Sequence, residues 1–157
     1  MTRRITAAGA SLALAALLLP GCGKTPTKVT EVEGTVLLDD KPLPNAQVQF
    51  MPELSDFGAE MNSTAVTDDK GHFILTCAYQ SQPGAVVGSH RVVVAEAPVP
   101  RELRGQSAQA QAKLAQYQAG LKNRPIPAVY GNVGQTPLRI EVKADQKTYA
   151  VNLTRKP

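Results

Sequence analysis

The chain has 157 residues, of which 43% are hydrophobic and 19% charged, and a formal net charge of +4. Its 17 Lys and Arg form no cluster with interleaved aromatic residues, so the electrostatic signature of nucleic-acid binding is missing. His72 and His90 are the only histidines, and no H-x-x-x-H or C-x-x-C spacing occurs, which argues against an imidazole or thiolate metal centre.

Residues 1–21 read as a signal peptide. Arg3 and Arg4 supply a short positive segment, Ile5 to Leu19 is uncharged and apolar, and Pro20-Gly21 breaks any helix. The stretch falls short of the about 20 apolar residues that span a bilayer, and it lacks the polar face of a core helix. Leu19-Pro20-Gly21-Cys22 resembles the lipobox of bacterial lipoproteins, with Pro20 where Ala, Ser or Thr is usual. The resemblance implies that the Cys22 thiol takes a diacylglycerol and that a signal peptidase cuts between Gly21 and Cys22, where a small residue is needed. Gly23 stands in place of the Asp that retains some lipoproteins at the inner membrane, which points to the outer membrane where one exists. Thr6 and Ala7 do not supply the bulky apolar residues that follow a twin-arginine pair, so Arg3-Arg4 reads as an ordinary positive segment.

Cleavage would leave 136 residues with a net charge of +2, because residues 1–21 contain two bases and no acid. That length suits one domain with one core. With Cys22 committed to lipid, Cys77 has no partner for a disulfide, and the domain must rest on apolar packing. Residues 22–30, with Lys24, Pro26 and Lys28, read as a tether.

From Glu31 the pattern has a period of two. Val32, Gly34, Val36 and Leu38 alternate with Glu33, Thr35 and Leu37; Asp39 to Pro42 is a turn; and Ala46, Val48 and Phe50 alternate with Gln47 and Gln49. These two runs are expected to pair as a hairpin. Ala65 to Thr67 is extended, Asp68-Asp69-Lys70-Gly71 is a turn, and Phe73, Leu75 and Cys77 share one strand face opposite His72, Ile74 and Thr76. His90 to Ala95 is a strand with Val92 and Val94 on one face and Val93 on the other. Leu138 to Val142 and Lys147 to Leu153 are expected to form a last pair around Asp145-Gln146. About seven short strands separated by turns suggest a β-sandwich. Arg101 to Lys122 interrupts it. Leu103, Ser107, Ala110, Leu114, Tyr117 and Leu121 recur at spacings of three and four, a helical stripe firmest over Ala108 to Ala119.

Val32–Val36 (V-E-G-T-V), Lys41–Pro52 (K-P-L-P-N-A-Q-V-Q-F-M-P) and Thr67–Leu75 (T-D-D-K-G-H-F-I-L) resemble carboxypeptidase-regulatory-like domains, which are transthyretin-like, prealbumin-type β-sandwiches. Pro83–Val94 resembles their Val-x-Val strand, with His90 where Tyr is commoner. Ile126–Asn132 and Thr136–Val142 are similar to the closing half of small bacterial lipoproteins with this domain. The resemblance implies a mainly β protein: a single transthyretin-like seven-stranded sandwich over residues 31–157, with a helical insertion at 101–122. It also implies an accessory module that touches protein or carbohydrate.

No chemistry-bearing constellation accompanies these motifs. Asp68-Asp69 lacks the acidic ladder and distal Glu of a calcium loop. Ser63, Ser81, Ser89 and Ser107 lack a G-x-S-x-G setting. Both histidines read as solvent-facing or half-buried. The transthyretin resemblance also raises a 5-hydroxyisourate hydrolase, but the chain ends Leu153-Thr154-Arg155-Lys156-Pro157 instead of in the Tyr-Arg-Gly-Ser-type motif of those enzymes. Without Trp, and with Tyr79, Tyr117, Tyr130 and Tyr149 scattered, a sugar platform is less expected than an envelope protein partner. The expectation is therefore a non-catalytic binding or scaffolding module that needs no cofactor or metal, exported and held at a membrane through Cys22.

Overall fold

A computed structural model describes residues 28–53 and 58–156. The signal peptide, the Gly21–Cys22 cleavage point, the lipidation of Cys22 and most of the tether lie outside the described residues. The protein is mainly β. In chain order the strands are β1 (Val29–Thr30), β2 (Glu33–Leu38), β3 (Lys41–Pro42), β4 (Ala46–Pro52), β5 (Ser63–Val66) and β6 (His72–Ile74). Then follow β7 (Thr76–Cys77), β8 (Gln82–Pro83), β9 (Ala85–Val86) and β10 (Gly88–Glu96). Helices α1 (Ala108–Gly120) and α2 (Ala128–Gly131) precede β11 (Arg139–Val142) and β12 (Thr148–Leu153).

One sheet runs β11-β10-β4-β5-β7-β8; a second runs β12-β2-β3, with β6 also paired to β2; β1 and β9 make a two-stranded ribbon. Val29 and Thr30, expected in the tether, are therefore strand residues paired with Val86 and Ala85. The expected hairpin of the first two long runs does not form. Asp39 and Asp40 take φ of 50° and 61°, the two-residue turn that suits right-twisted strands, and this closes β2 onto the short β3. The chain then crosses to the other sheet. Thr67 fixes the crossing: its Oγ1 donates to Leu43 O at 2.6 Å and accepts from Ala46 N at 2.9 Å. The expected last pair also separates, because β11 joins β10 antiparallel while β12 joins β2 in parallel.

The alternation seen in the sequence sets the core. Val48, Phe50, Val92 and Val94 from the first sheet meet Val36, Leu38, Phe73, Val151 and Leu153 from the second in one buried cluster. The Phe50 and Phe73 rings lie 6.1 Å apart and tilted by 52°. Each such fully buried side chain contributes about 1.5–3 kcal/mol. Gly34 permits a close approach between the strands: a Cβ there would lie 2.1 Å from Tyr149 O and 2.7 Å from Phe73 Cζ. Gly71 takes φ +74°, and Asp68 Oδ1 accepts from Lys70 N and His72 N, so this turn forms as its residues indicate.

The helical insertion is shorter than 101–122. Arg101–Leu103 is a 3-10 turn, and α1 begins only after Ser107, whose Oγ accepts from Ala110 N. Ser107 is thus the N-cap and not part of the packing stripe. Leu103, Ala110, Leu114, Tyr117 and Leu121 are half-buried, and no residue of α1 is fully buried.

Candidate functional site

Two surface clefts are candidate sites among the described residues, and neither assembles reactive groups. The first, about 270 Å³, lies between the entry to β2 and the start of β12 and is lined by Glu31, Glu33, Ile74, Pro83 and Lys147. Glu31 and Lys147 pair at 2.7 Å. Their hydrogen bond and mutual attraction hold the carboxyl below and the ammonium above their ordinary ranges. Both groups are thereby fixed in their charged forms, the opposite of what a general acid or base near neutrality needs. Part of the wall is apolar: Ile74, 62% exposed, stands beside Pro83. Such a cleft can accept an apolar side chain next to a polar contact.

The second cleft, about 240 Å³, lies between α1 and the end of β10, where Tyr117, Gln118 and Leu121 face Asn45, Glu96 and Arg124. A Tyr beside amide, carboxylate and guanidinium groups has the composition of a sugar site, but the guanidinium is already committed. Arg124 Nε donates to Glu96 at 2.7 Å, its Nη1 to Lys122 O, and its Nη2 to Pro44 O and Asn45 O. Next to it, Asn123 Nδ2 donates to Leu38 O, Lys41 O and Pro42 O. Arg155 bridges Asp39 and Asn123 Oδ1. This network clamps the segment after α1 onto the β2–β3 turn. No residue of it stands out in the sequence as a site residue; the one local signal is the positive φ of Asn123, +59°, which Asn tolerates.

His90 departs from expectation. It is fully buried, with Nδ1 2.9 Å from Gly88 O and its ring 5.8 Å from that of Phe50. Among the described residues its Nε2 and the Oγ of buried Ser63 have no partner. Burial holds the imidazole pKa below 6.5, opposed more weakly by the Gly88 contact and by Glu53. His72 is half-exposed and lies 3.9 Å from Glu33. The two histidines occupy different sheets, and no group of three or more His, Cys, Asp or Glu able to hold a metal ion occurs among the described residues. Cys77 is free and buried against Met61 and Val86, apart from the main core; its Sγ lies 3.7 Å from Met61 O.

Among the described residues no helix is long and apolar enough to cross a membrane. No family model, curated protein or solved structure matches the chain.

Proposed function

We propose that the protein is an exported lipoprotein, anchored through a diacylated Cys22, whose β-domain is a non-catalytic binding or scaffolding module at the cell envelope. The observation that carries the reading is Leu19-Pro20-Gly21-Cys22 placed directly after an uncharged apolar stretch and Arg3-Arg4. The domain is taken as a transthyretin-like, carboxypeptidase-regulatory-like sandwich of seven strands. Two facing sheets support this, as do the seven strand segments of three residues or more. The non-catalytic reading is supported by clefts whose charged groups are paired within the chain.

Lipid would hold the protein far more firmly than charge. Each buried CH₂ contributes about 0.8 kcal/mol, so two or more acyl chains anchor stably where one is marginal. A net charge of +2 offers little by comparison. Cys22→Ala is expected to move the protein from the membrane pellet to the soluble fraction and to abolish incorporation of labelled fatty acid. Retention of the variant in a salt-washed pellet would overturn the anchor.

A further inference from the structure

We infer that the cleft between α1 and the end of β10 is a saccharide site that holds one neutral pyranose unit. The inference rests on the reading of the domain as a binding module and names its ligand class; it does not depend on the lipid anchor. A pyranose ring has an apolar C–H face and a rim of hydroxyls that both donate and accept. A site for it needs apolar surface beside a few uncommitted polar groups. The cleft has both. Tyr117 and Leu121 at the end of α1 and Val99 beyond β10 supply half-buried apolar surface, and Asn45, Glu96 and Gln118 line the same space.

These polar groups keep their hydrogen-bonding capacity. Among the described residues, the side-chain amides of Asn45 and Gln118 and the Tyr117 hydroxyl make no hydrogen bond. Glu96 meets Arg124 through Oε2, which leaves Oε1 to accept. An amide offers a donor and an acceptor together, the pairing that neighbouring hydroxyls require. Charge disfavours ionic ligands, because Glu96 repels an anion, Arg124 beside it repels a cation, and the pair as a whole is neutral. A cleft of about 240 Å³ is small for a ligand pocket, and suits one ring better than a lipid tail.

The walls are held in place before a ligand arrives. Arg124 ties Glu96 of β10 to the carbonyls of Pro44 and Asn45 ahead of β4, and Ala97 N donates to Asn45 O at the same junction. Walls fixed in this way lower the ordering cost of binding. The site also gives α1 a role. No residue of the helix is fully buried, yet its half-buried Tyr117, one turn before Leu121, forms a wall of this cleft. A helix that adds little to the core but carries Tyr117 and Gln118 to Asn45 and Glu96 is placed for binding.

Saturation-transfer NMR on the full chain tests this, with methyl β-D-glucopyranoside and methyl β-D-galactopyranoside as probes. Transfer is expected to the ring C–H protons of at least one, with a Kd on the order of 1 mM, as fits a ligand of about a dozen heavy atoms. Gln118→Ala, at an exposed position, is expected to weaken binding about fivefold, and Tyr117→Ala about tenfold. Tyr117→Phe keeps the ring and its packing, and is expected to lose about threefold. Ile74→Ser, in the other cleft, is expected to change nothing. No transfer to either sugar at about 20 mM would overturn the inference. So would binding unaltered by Gln118→Ala and Tyr117→Phe, or displacement of the sugar by an equal concentration of N-acetylglycine N-methylamide, which would make the cleft a peptide site. Release of methanol from a bound glycoside would uphold the site and overturn the non-catalytic reading.

Discussion

His90 has the strand parity of Val92 and Val94 and the polarity of a surface residue, and parity wins. The imidazole is buried whole, with one nitrogen near Gly88 O and the other unpartnered among the described residues, so a proton on it is disfavoured in the fold. The sign of the pH effect follows. Above about pH 6.5 both folded and unfolded chains are neutral at this site, and its contribution is complete. As pH falls, the unfolded chain gains a proton that the folded chain resists; stability is lost until the lowered folded pKa is reached, and is flat below it. The melting temperature is expected to drop between pH 7.5 and 5, and His90→Phe to flatten that slope. An unchanged slope in the variant would assign the effect elsewhere. Cys77 is buried, as its parity with Phe73 and Leu75 indicates, but it does not share a strand face with them: the chain passes from one sheet at β6 to the other at β7, and Cys77 packs against Met61 and Val86. Its thiol is expected to resist labelling in the native protein and to react on adding denaturant; rapid native labelling would contradict its burial.

The segments that sequence pattern locates well are those whose own residues decide them. Alternation marks the faces of β2, β4, β10 and β12, and Ser107, Ala110, Leu114 and Tyr117 place α1 within a turn of its observed start. Pairing is a different matter, because Asp39-Asp40 closes a hairpin whichever strand follows. The bonds between Thr67 and Leu43 and Ala46, 24 and 21 residues away, hold the crossing that carries β4 to the other sheet. Polar clamps of this kind leave no periodic trace, and Arg124 is the strongest example. Its side chain is 14% exposed and ties the segment after α1 to Pro44, Asn45 and Glu96. Hydrogen bonds from a charged group contribute about 1.5–3 kcal/mol each at best, and less where solvent reaches the partner, as at Glu96. Arg124→Ala is expected to destabilise the domain by about 2 kcal/mol or more. Leu114→Ser with Tyr117→Ser removes two half-buried contacts and is expected to cost less, about 1 kcal/mol. Urea unfolding of both variants checks the order. If the helix double variant proves the more damaging, α1 is docked more tightly than its exposure indicates.

At the scale of the whole molecule, the chain separates into parts that close the core and a part attached to it. β12 closes the core: it is the last strand made, pairs in parallel with β2 more than a hundred residues earlier, and contributes Tyr149, Val151 and Leu153 to the main cluster. A parallel partner that distant cannot be read from local pattern, because any two apolar strands of similar length fit equally well until the fold excludes the alternatives. The candidate binding clefts were hidden for the same reason: Glu31 meets Lys147, and Asn45 meets Tyr117, only after closure. α1 is the attached part, with no fully buried residue and with Asn123 and Arg124 fastening the chain just beyond it. Two deletions separate these roles. Removing residues 147–157 strips one side of β2 and exposes Val36 and Leu38, and is expected to abolish cooperative unfolding. Replacing residues 106–120 with a Gly/Ser linker of about a dozen residues, whose root-mean-square span of about 20 Å matches the helix length, is expected to keep it. Calorimetry on both deletions is decisive. A helix-less chain without a cooperative transition would show that α1 belongs to the core-closing set, despite its exposure.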